Sequence, residues 1–143
     1  MLFKRINRDT PENVFVPIYN VQGATITTGR AVSYQLGVST DGVNAVIADA
    51  AADYPGFIGV AKSDIPANDY GLVQVGGFVA SIWISNVGTS ITVNAADPLV
   101  PSVGGFMSAA PTYANSGFKF LHASNVPVAI SAGGYMSGLI KLV

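Results

Sequence analysis

The chain has 143 residues, half of them hydrophobic and only 10% charged, with a formal net charge of −1, one histidine and no cysteine. That length suits one ordinary domain. Near-neutral charge excludes nucleic-acid binding by bulk electrostatics, and the missing cysteine excludes disulfides, a thiol nucleophile and Cys-based zinc sites.

A typical soluble domain carries about 25% charged residues. A chain this small has much surface for its volume, so the deficit predicts an apolar surface that partners cover. The mean hydropathy of +0.45 points the same way.

The N-terminal stretch "MLFKRINRDTPENVF" places Lys4, Arg5 and Arg8 first, with no apolar h-region after them, so it does not read as a signal peptide. No run of 18 apolar residues exists, which argues against a membrane helix. A transmembrane barrel would need clean apolar/polar alternation, which is missing. Lys4, Arg5, Arg8, Asp9 and Glu12 hold five of the fifteen charges in twelve residues. Residues 1–13 therefore read as an arm, with Leu2, Phe3 and Ile6 suited to docking on something, ahead of one barrel-type domain over 14–143.

Strand signals then follow in order. Val- and Ile-rich runs predict strands at 14–19, 31–37, 43–48, 57–62, 71–76, 78–85, 90–93, 98–100, 118–122, 127–130 and 135–142. Turn chemistry separates them: "TDGVN", "PAND", "NVGTS" and "NAADP". The one helical candidate is residues 44–56, where "ADAAAD" precedes Pro55, although "VNAVI" suits a strand end equally. No internal repeat, low-complexity tract or linker is evident. The expected fold is all-β: a compact β-barrel or β-tulip-like domain of short antiparallel strands with an N-terminal arm.

Residues 72–84 barely alternate. Strict parity puts Leu72, Gln74, Gly76, Phe78, Ala80, Ile82 and Ile84 on one face, and Val73, Val75, Gly77, Val79, Ser81 and Trp83 on the other. A strand with one wet face should alternate apolar and polar, so this one predicts cover on both sides. Gly76-Gly77 predicts a bulge or corner that lets one segment serve two sheets. Part of the second face, with Trp83, is expected to meet another subunit, because unprotected Val, Ile and Trp invite association.

The segment "FIGVAKSDIPANDYGLVQVGGFV" (57–79) resembles a pattern in small head-decoration, or cement, proteins of tailed bacteriophages. The matching residues are Ile58, Gly59, Val60, Ala61, Ile65, Ala67, Tyr70, Gly71, Val73, Gln74, Val75 and Gly77, and the closing "GYMSGLIKLV" is similar to that family's terminal strand. The resemblance covers about a quarter of the chain. It implies a β-barrel or β-tulip-like domain, no catalysis, and trimers or other multimers seated on the outside of a capsid lattice. The extra apolar content at 78–84 and 98–110 departs from the pattern and keeps a tail or fibre component open.

Catalytic and metal motifs are scarce. His122, in "FKFLHAS", is the only base for a Ser–His–Asp triad and has no acid nearby in sequence. "GYMSG" is not a nucleophile elbow, because its serine comes one place late. "GLVQVGG" lacks the lysine of a P-loop. Asp49 and Asp53 are spaced to share a helix face, while Asp41, Asp64, Asp69 and Asp97 lie in other turns. None forms a calcium loop. Tyr34, Tyr54, Tyr70, Trp83, Tyr113 and Tyr135 offer aromatic surface for a sugar platform, with core or interface packing as the bland role of each.

The expected function is therefore a non-enzymatic structural virion protein. It would be a capsid decoration protein made in the host cytoplasm, with no cofactor, metal, membrane or nucleic acid. Its partners would be the major capsid protein and itself, as a homotrimer on the capsid exterior. Phe3, Lys4, Arg5, Arg8, Phe78 and Trp83 are the expected protein contacts. A carbohydrate-binding β-module or a tail/fibre component is the alternative, followed by a hydrolase using His122.

Overall fold

The computed structural model describes residues 13–38, 41–50, 52–85, 91–94, 97–102, 106–109, 121–123, 128–130 and 133–140. Residues 1–12 of the N-terminal arm, Tyr113 and the tip of the chain lie outside these residues. Among them are the strands β1 (Val14–Asn20), β2 (Ala31–Tyr34), β3 (Asn44–Ile47), β4 (Phe57–Ala61), β5 (Tyr70–Ile84), β6 (Ile91–Val93), β7 (Pro98–Ser102), β8 (Phe106–Ala109), β9 (Leu121–Ala123), β10 (Val128–Ile130) and β11 (Gly134–Ile140). The fold is all-β, as the strand spacing predicts. The helical candidate at 44–56 resolves into β3 and one 3-10 turn at Tyr54–Gly56, with Pro55 inside the turn. β8 falls in a small-residue stretch that gave no strand signal.

The strands close. β1, β3, β2, β4 and β5 are neighbours in that order, and β5 pairs back onto β1, making a closed five-stranded barrel. β5 then continues into a second ring, in the order β5, β8, β7, β9, β11 and back to β5. All these ladders are antiparallel except β1 with β3 and β5 with β8.

The two rings have one topology. In each, strands taken in chain order are neighbours in the order first, third, second, fourth, fifth, and in each the first and third run parallel. β5 is the last strand of one ring and the first of the other. A further pairing also recurs: Ile26 bridges Ile65 antiparallel in the first half, and β6 pairs antiparallel with β10, with Ile91 opposite Ile130, in the second. The sequence carries a trace of this. "GATIT" at 23–27 is echoed by "GTSIT" at 88–92, and "IPANDY" at 65–70 by "ISAGGY" at 130–135, both at a spacing of 65 residues. The expectation of no internal repeat is thus corrected. Ile26 and Ile65 of the first core recur in sequence as Ile91 and Ile130, but the echoes are only five and six residues long, which hides the repeat from composition and periodicity.

Two apolar clusters hold the rings. Ile18, Ile26, Val32, Ala45, Ala61, Ile65 and Val73 fill the first barrel. Val79, Ile82, Ile84, Val93, Leu99, Met136 and Ile140 form the second cluster, joined by Ala31, Ala48 and Val60 from the first ring. The rings are therefore fused over a shared apolar layer. Adjacent Ala31 and Val32, and adjacent Val60 and Ala61, serve different clusters. That is why β4 reads as a continuous apolar run. Each fully buried Val, Ile or Leu contributes about 1.5–3 kcal/mol.

β5 turns the corner between the rings. Gly77 has φ of 91°, a conformation that a side chain disfavours. Two irregularities flank it. Val14 faces Gly76 while Phe15 faces Gln74, and Met136 faces Ile82 while Gly138 faces Val79. Each extra residue swaps the faces of the strand beyond it. Strict parity therefore fails over 72–84: Val73 and Val79 point into cores before the second bulge, and Ile82 and Ile84 after it. Buried Gln74 fastens the corner, its Nε2 donating to the carbonyls of Gly76 (3.2 Å) and Phe78 (2.9 Å) and to Asn13 Oδ1 (3.1 Å).

Candidate functional site

The large apolar side chains left exposed gather largely on the outer faces of the two ladders that β5 makes. On the β1–β5 ladder, Tyr19 lies opposite Tyr70 and Pro17 opposite Leu72. Tyr70 is 68% exposed and Leu72 48%. The Tyr19 and Tyr70 rings sit 4.9 Å apart at 54°. On the β5–β11 ladder, Trp83 lies opposite Tyr135 and Phe78 opposite Leu139. Tyr135 is 56% exposed, Leu139 42% and Phe78 38%. The Trp83 and Tyr135 rings meet edge-on at 4.7 Å and 74°. The pairs occupy matching places: each joins the first and last strands of its ring, and Tyr70 and Tyr135 end the two echoed hexapeptides. Cross-strand aromatic pairs of this kind each contribute roughly 0.2–1 kcal/mol to ladder stability.

Trp83 is built into its own subunit. The Arg30 guanidinium lies over its ring at 5.5 Å, and the Trp83 backbone N–H donates to the Gly29 carbonyl at 3.0 Å. A Cβ on Gly29 would sit 3.0 Å from the Ser81 carbonyl oxygen and 3.1 Å from Tyr135 Cε1, and one on Gly133 3.0 Å from Trp83 Cζ2. Gly133 thus leaves room for the indole, and Gly29 for the Tyr135 ring and the β5 backbone. Burial beside it lowers the Arg30 pKa from its ordinary value, partly offset by Tyr135. Of the expected contacts, Phe78 lies on the exposed ladder, Trp83 is half-buried, and Phe3, Lys4, Arg5 and Arg8 lie outside the described residues. Tyr70, Leu72, Tyr135 and Leu139 were not singled out as contacts. The signal for them was the repeat.

The other candidate residues take structural places. Asp49 and Asp53 share no helix, since β3 ends at Ile47, and Asp53 Oδ2 accepts from the Ala50 N–H at 3.2 Å. Asp41 and Asp97 likewise accept backbone N–H bonds in turns, from Val43 and Asn94. His122 lies in β9, opposite Leu139 and Pro98 in the two adjoining ladders. Tyr34 and Tyr54 pack against the two cores. Neither exposed aromatic pair is coplanar, so neither forms a flat sugar platform. A cleft at the ring junction, lined by Thr28, Lys62, Gln74 and Ser81 among others, holds about 60 Å³, far below the roughly 300–1,000 Å³ of ligand pockets.

Asp64 ties the Thr27–Arg30 strap to the turn before Ile65, its Oδ1 accepting from Thr28 N (2.7 Å) and Thr28 Oγ1 (2.9 Å). These bonds, the backbone one first, hold its carboxyl below the ordinary range. Its stabilisation is present above the unfolded value of about 3.9 and is lost as pH falls through the lower folded value. Asp64→Asn should therefore flatten the acid limb of stability below that pH, read as urea midpoints across a pH series. An unchanged limb would remove Asp64 from the acid response.

The geometry defines a charge-poor scaffold of two fused β-rings whose β5 ladders present apolar and aromatic side chains outward. The fold is shared with a known structure, the head fiber gp8.5 N base of bacteriophage phi29. The likeness has a TM-score of 0.52 and 15% identity, and covers 91% of this chain and 95% of that one. No family model matches the chain, and no curated protein sequence does.

Proposed function

We propose that the chain is a non-enzymatic structural component of a tailed-phage virion. In this reading it is an oligomeric capsid decoration protein that binds the major capsid protein on the outer surface of the head and braces the shell. The observation that carries the reading is the fold shared with a head fiber base along nearly the whole of both chains. The sparse charge and the exposed apolar ladders support it, since a protein that lives in an assembly has its apolar surface covered there. The same likeness favours, as a second reading, a seat for a fibre on the head.

Quantitative mass spectrometry of purified particles tests this directly. A copy number equal to the major shell protein, or a simple lattice fraction of it, is the expected result. A few copies per particle would move the chain to the portal, tail or an individual fibre. Absence from particles would overturn the virion reading. Removing residues 1–12 should leave the thermal midpoint unchanged and weaken capsid binding in co-sedimentation; normal binding would remove the arm from the contact.

A further inference from the structure

We propose that the two rings open in a fixed order: the second ring opens while the first stays closed, and the first never opens while the second stays closed. The first barrel is then a fixed base, and the second ring is the part that rearranges, about the Gly77 corner. The proposal rests on how the two cores are divided, not on the virion reading.

The first core is self-contained. Among the described residues, its buried members run from Ile18 to Val73, and the half-buried side chains packed on it run from Val16 to Val75. The ring is also shut by its own bonds. β1 faces β5 in six pairs, from Val14 with Gly76 to Tyr19 with Tyr70. Asn20 Nδ2 donates to the carbonyls of Ala24, Ile65 and Pro66, and Gln22 Oε1 accepts from the Ile47 N–H at 2.7 Å. All these partners precede Gly77.

The second core is borrowed in part. Ala31, Ala48 and Val60 of the first ring belong to it. The 27–30 strap also fastens its strand: the Gly29 carbonyl accepts the Trp83 backbone N–H, and Arg30 covers the indole. Opening the first ring would take this floor from Val79, Ile82, Ile84, Leu99 and Met136. The converse costs less. With the second ring open, the first uncovers two alanines and a valine, beside Tyr54 and Phe57, which are only partly buried already. Stabilisation by burial follows apolar area, so the first ring loses little and its own core loses nothing. Proteins open in contiguous units of this kind.

The test is native-state hydrogen exchange of the full-length chain in low urea. Mass spectrometry reads peptides spanning β2 and β4 for the first ring, and β7 and β11 for the second. In the parent, the second-ring peptides should exchange about tenfold faster or more after correction for intrinsic rates. Ile18→Val and Ile82→Val then make the same small cut in the two cores, both at fully buried positions. Such a cut raises an opening constant roughly 2- to 10-fold. Ile82→Val weakens the native state against both the partly open and the unfolded forms, so it should speed exchange in both rings by one factor. Ile18→Val weakens the native and partly open forms alike, so it should speed exchange in the first ring only. Ile140→Val and Ile26→Val repeat the comparison at a second pair of buried positions.

Equal protection of the two rings in the parent would overturn the proposal, because the chain would then open as one unit. Ile18→Val speeding exchange in both rings would overturn it too, since the second ring would then depend on the first in the same opening. Each variant acting on its own ring alone would mean that the rings open independently, and would also overturn it.

Discussion

Gly59→Ala should strongly destabilise the first ring. A Cβ at Gly59 would lie 2.1 Å from the Gln74 carbonyl oxygen, 2.9 Å from the Gln74 carbonyl carbon and 2.9 Å from Val73 Cγ1. The oxygen belongs to backbone that cannot retreat. Gln74 is paired with Val60 on one side and Phe15 on the other, and Val73 with Ala61 and Val16. Relief of the clash requires β4 to part from β5, which opens the barrel and uncovers the first core. Overpacking inside a core costs about 1–3 kcal/mol when side chains give way. Here the obstacle is main chain, so the expected loss is about 3 kcal/mol or more, a large part of an ordinary domain's 5–15. The measurement is soluble yield and urea midpoint. Gly23→Ala is the control, since a Cβ there meets nothing within 4 Å, and its midpoint should match the parent. A Gly59→Ala protein with an unchanged midpoint would show that β4 and β5 are not held at this distance.

The same residue shows how the quoted "IGVA…YG…VQV…G" pattern works. Gly59 admits the Gln74 carbonyl. A Cβ on Gly71 would lie 2.4 Å from Ile65 Cγ1, so Gly71 makes room for a fully buried side chain. Gln74 ties the corner, and Gly77 turns it. The pattern is a recipe for one strand leaving one sheet and entering another, which explains its presence here without any site chemistry.

Strand content was legible in the sequence because short Val- and Ile-rich runs between turn residues have few other solutions. The corner at Gly76-Gly77 was legible for the same local reason. The facing of residues 72–84 was not, because parity survives only where no residue is inserted, and β5 takes two irregularities in fifteen residues. The second ring escaped notice although two of its segments repeat the first at a fixed spacing. What recurs is a pairing pattern, held by backbone hydrogen bonds, with only short stretches of matching sequence. The exposed ladders followed from the repeat, so they too were hidden. Trp83 drew attention by its chemistry, yet the surface beside it is presented by Tyr135.

Asn20 replaced by Leu should cost the first ring nearly as much as the glycine substitution, for a different reason. Asn20 is completely buried. Its Nδ2 donates to the carbonyls of Ala24 (2.9 Å), Ile65 (3.0 Å) and Pro66 (3.0 Å), and its Oδ1 accepts from the Gln22 N–H at 2.9 Å. Its backbone bonds Asp69 and Asn68. One side chain thus gathers the end of β1, the loop to Ile26 and the turn after Ile65. The second ring closes the corresponding place with a three-residue ladder, β6 on β10, and carries Ile84 where Asn20 stands, next to Trp83 as Asn20 is next to Tyr19. Among the described residues the first ring has the single Ile26–Ile65 bridge there, and the carboxamide takes the place of the further pairs. Leaving a buried polar group without its partner costs about 1–3 kcal/mol, and several groups lose theirs, so Asn20→Leu should lower stability by roughly 3–5 kcal/mol. Asn20→Asp makes the mechanism visible. Its carboxylate keeps the Gln22 bond but faces three carbonyl oxygens without water, so burial and those oxygens raise its folded pKa above the unfolded value. That variant should be least stable at neutral pH and regain stability on mild acidification, where a protonated carboxyl donates one of the lost bonds. Urea midpoints at neutral and mildly acidic pH read the difference. Equal loss at both, or an Asp variant as stable as the parent at neutral pH, would mean that the carboxamide is not what closes the first ring.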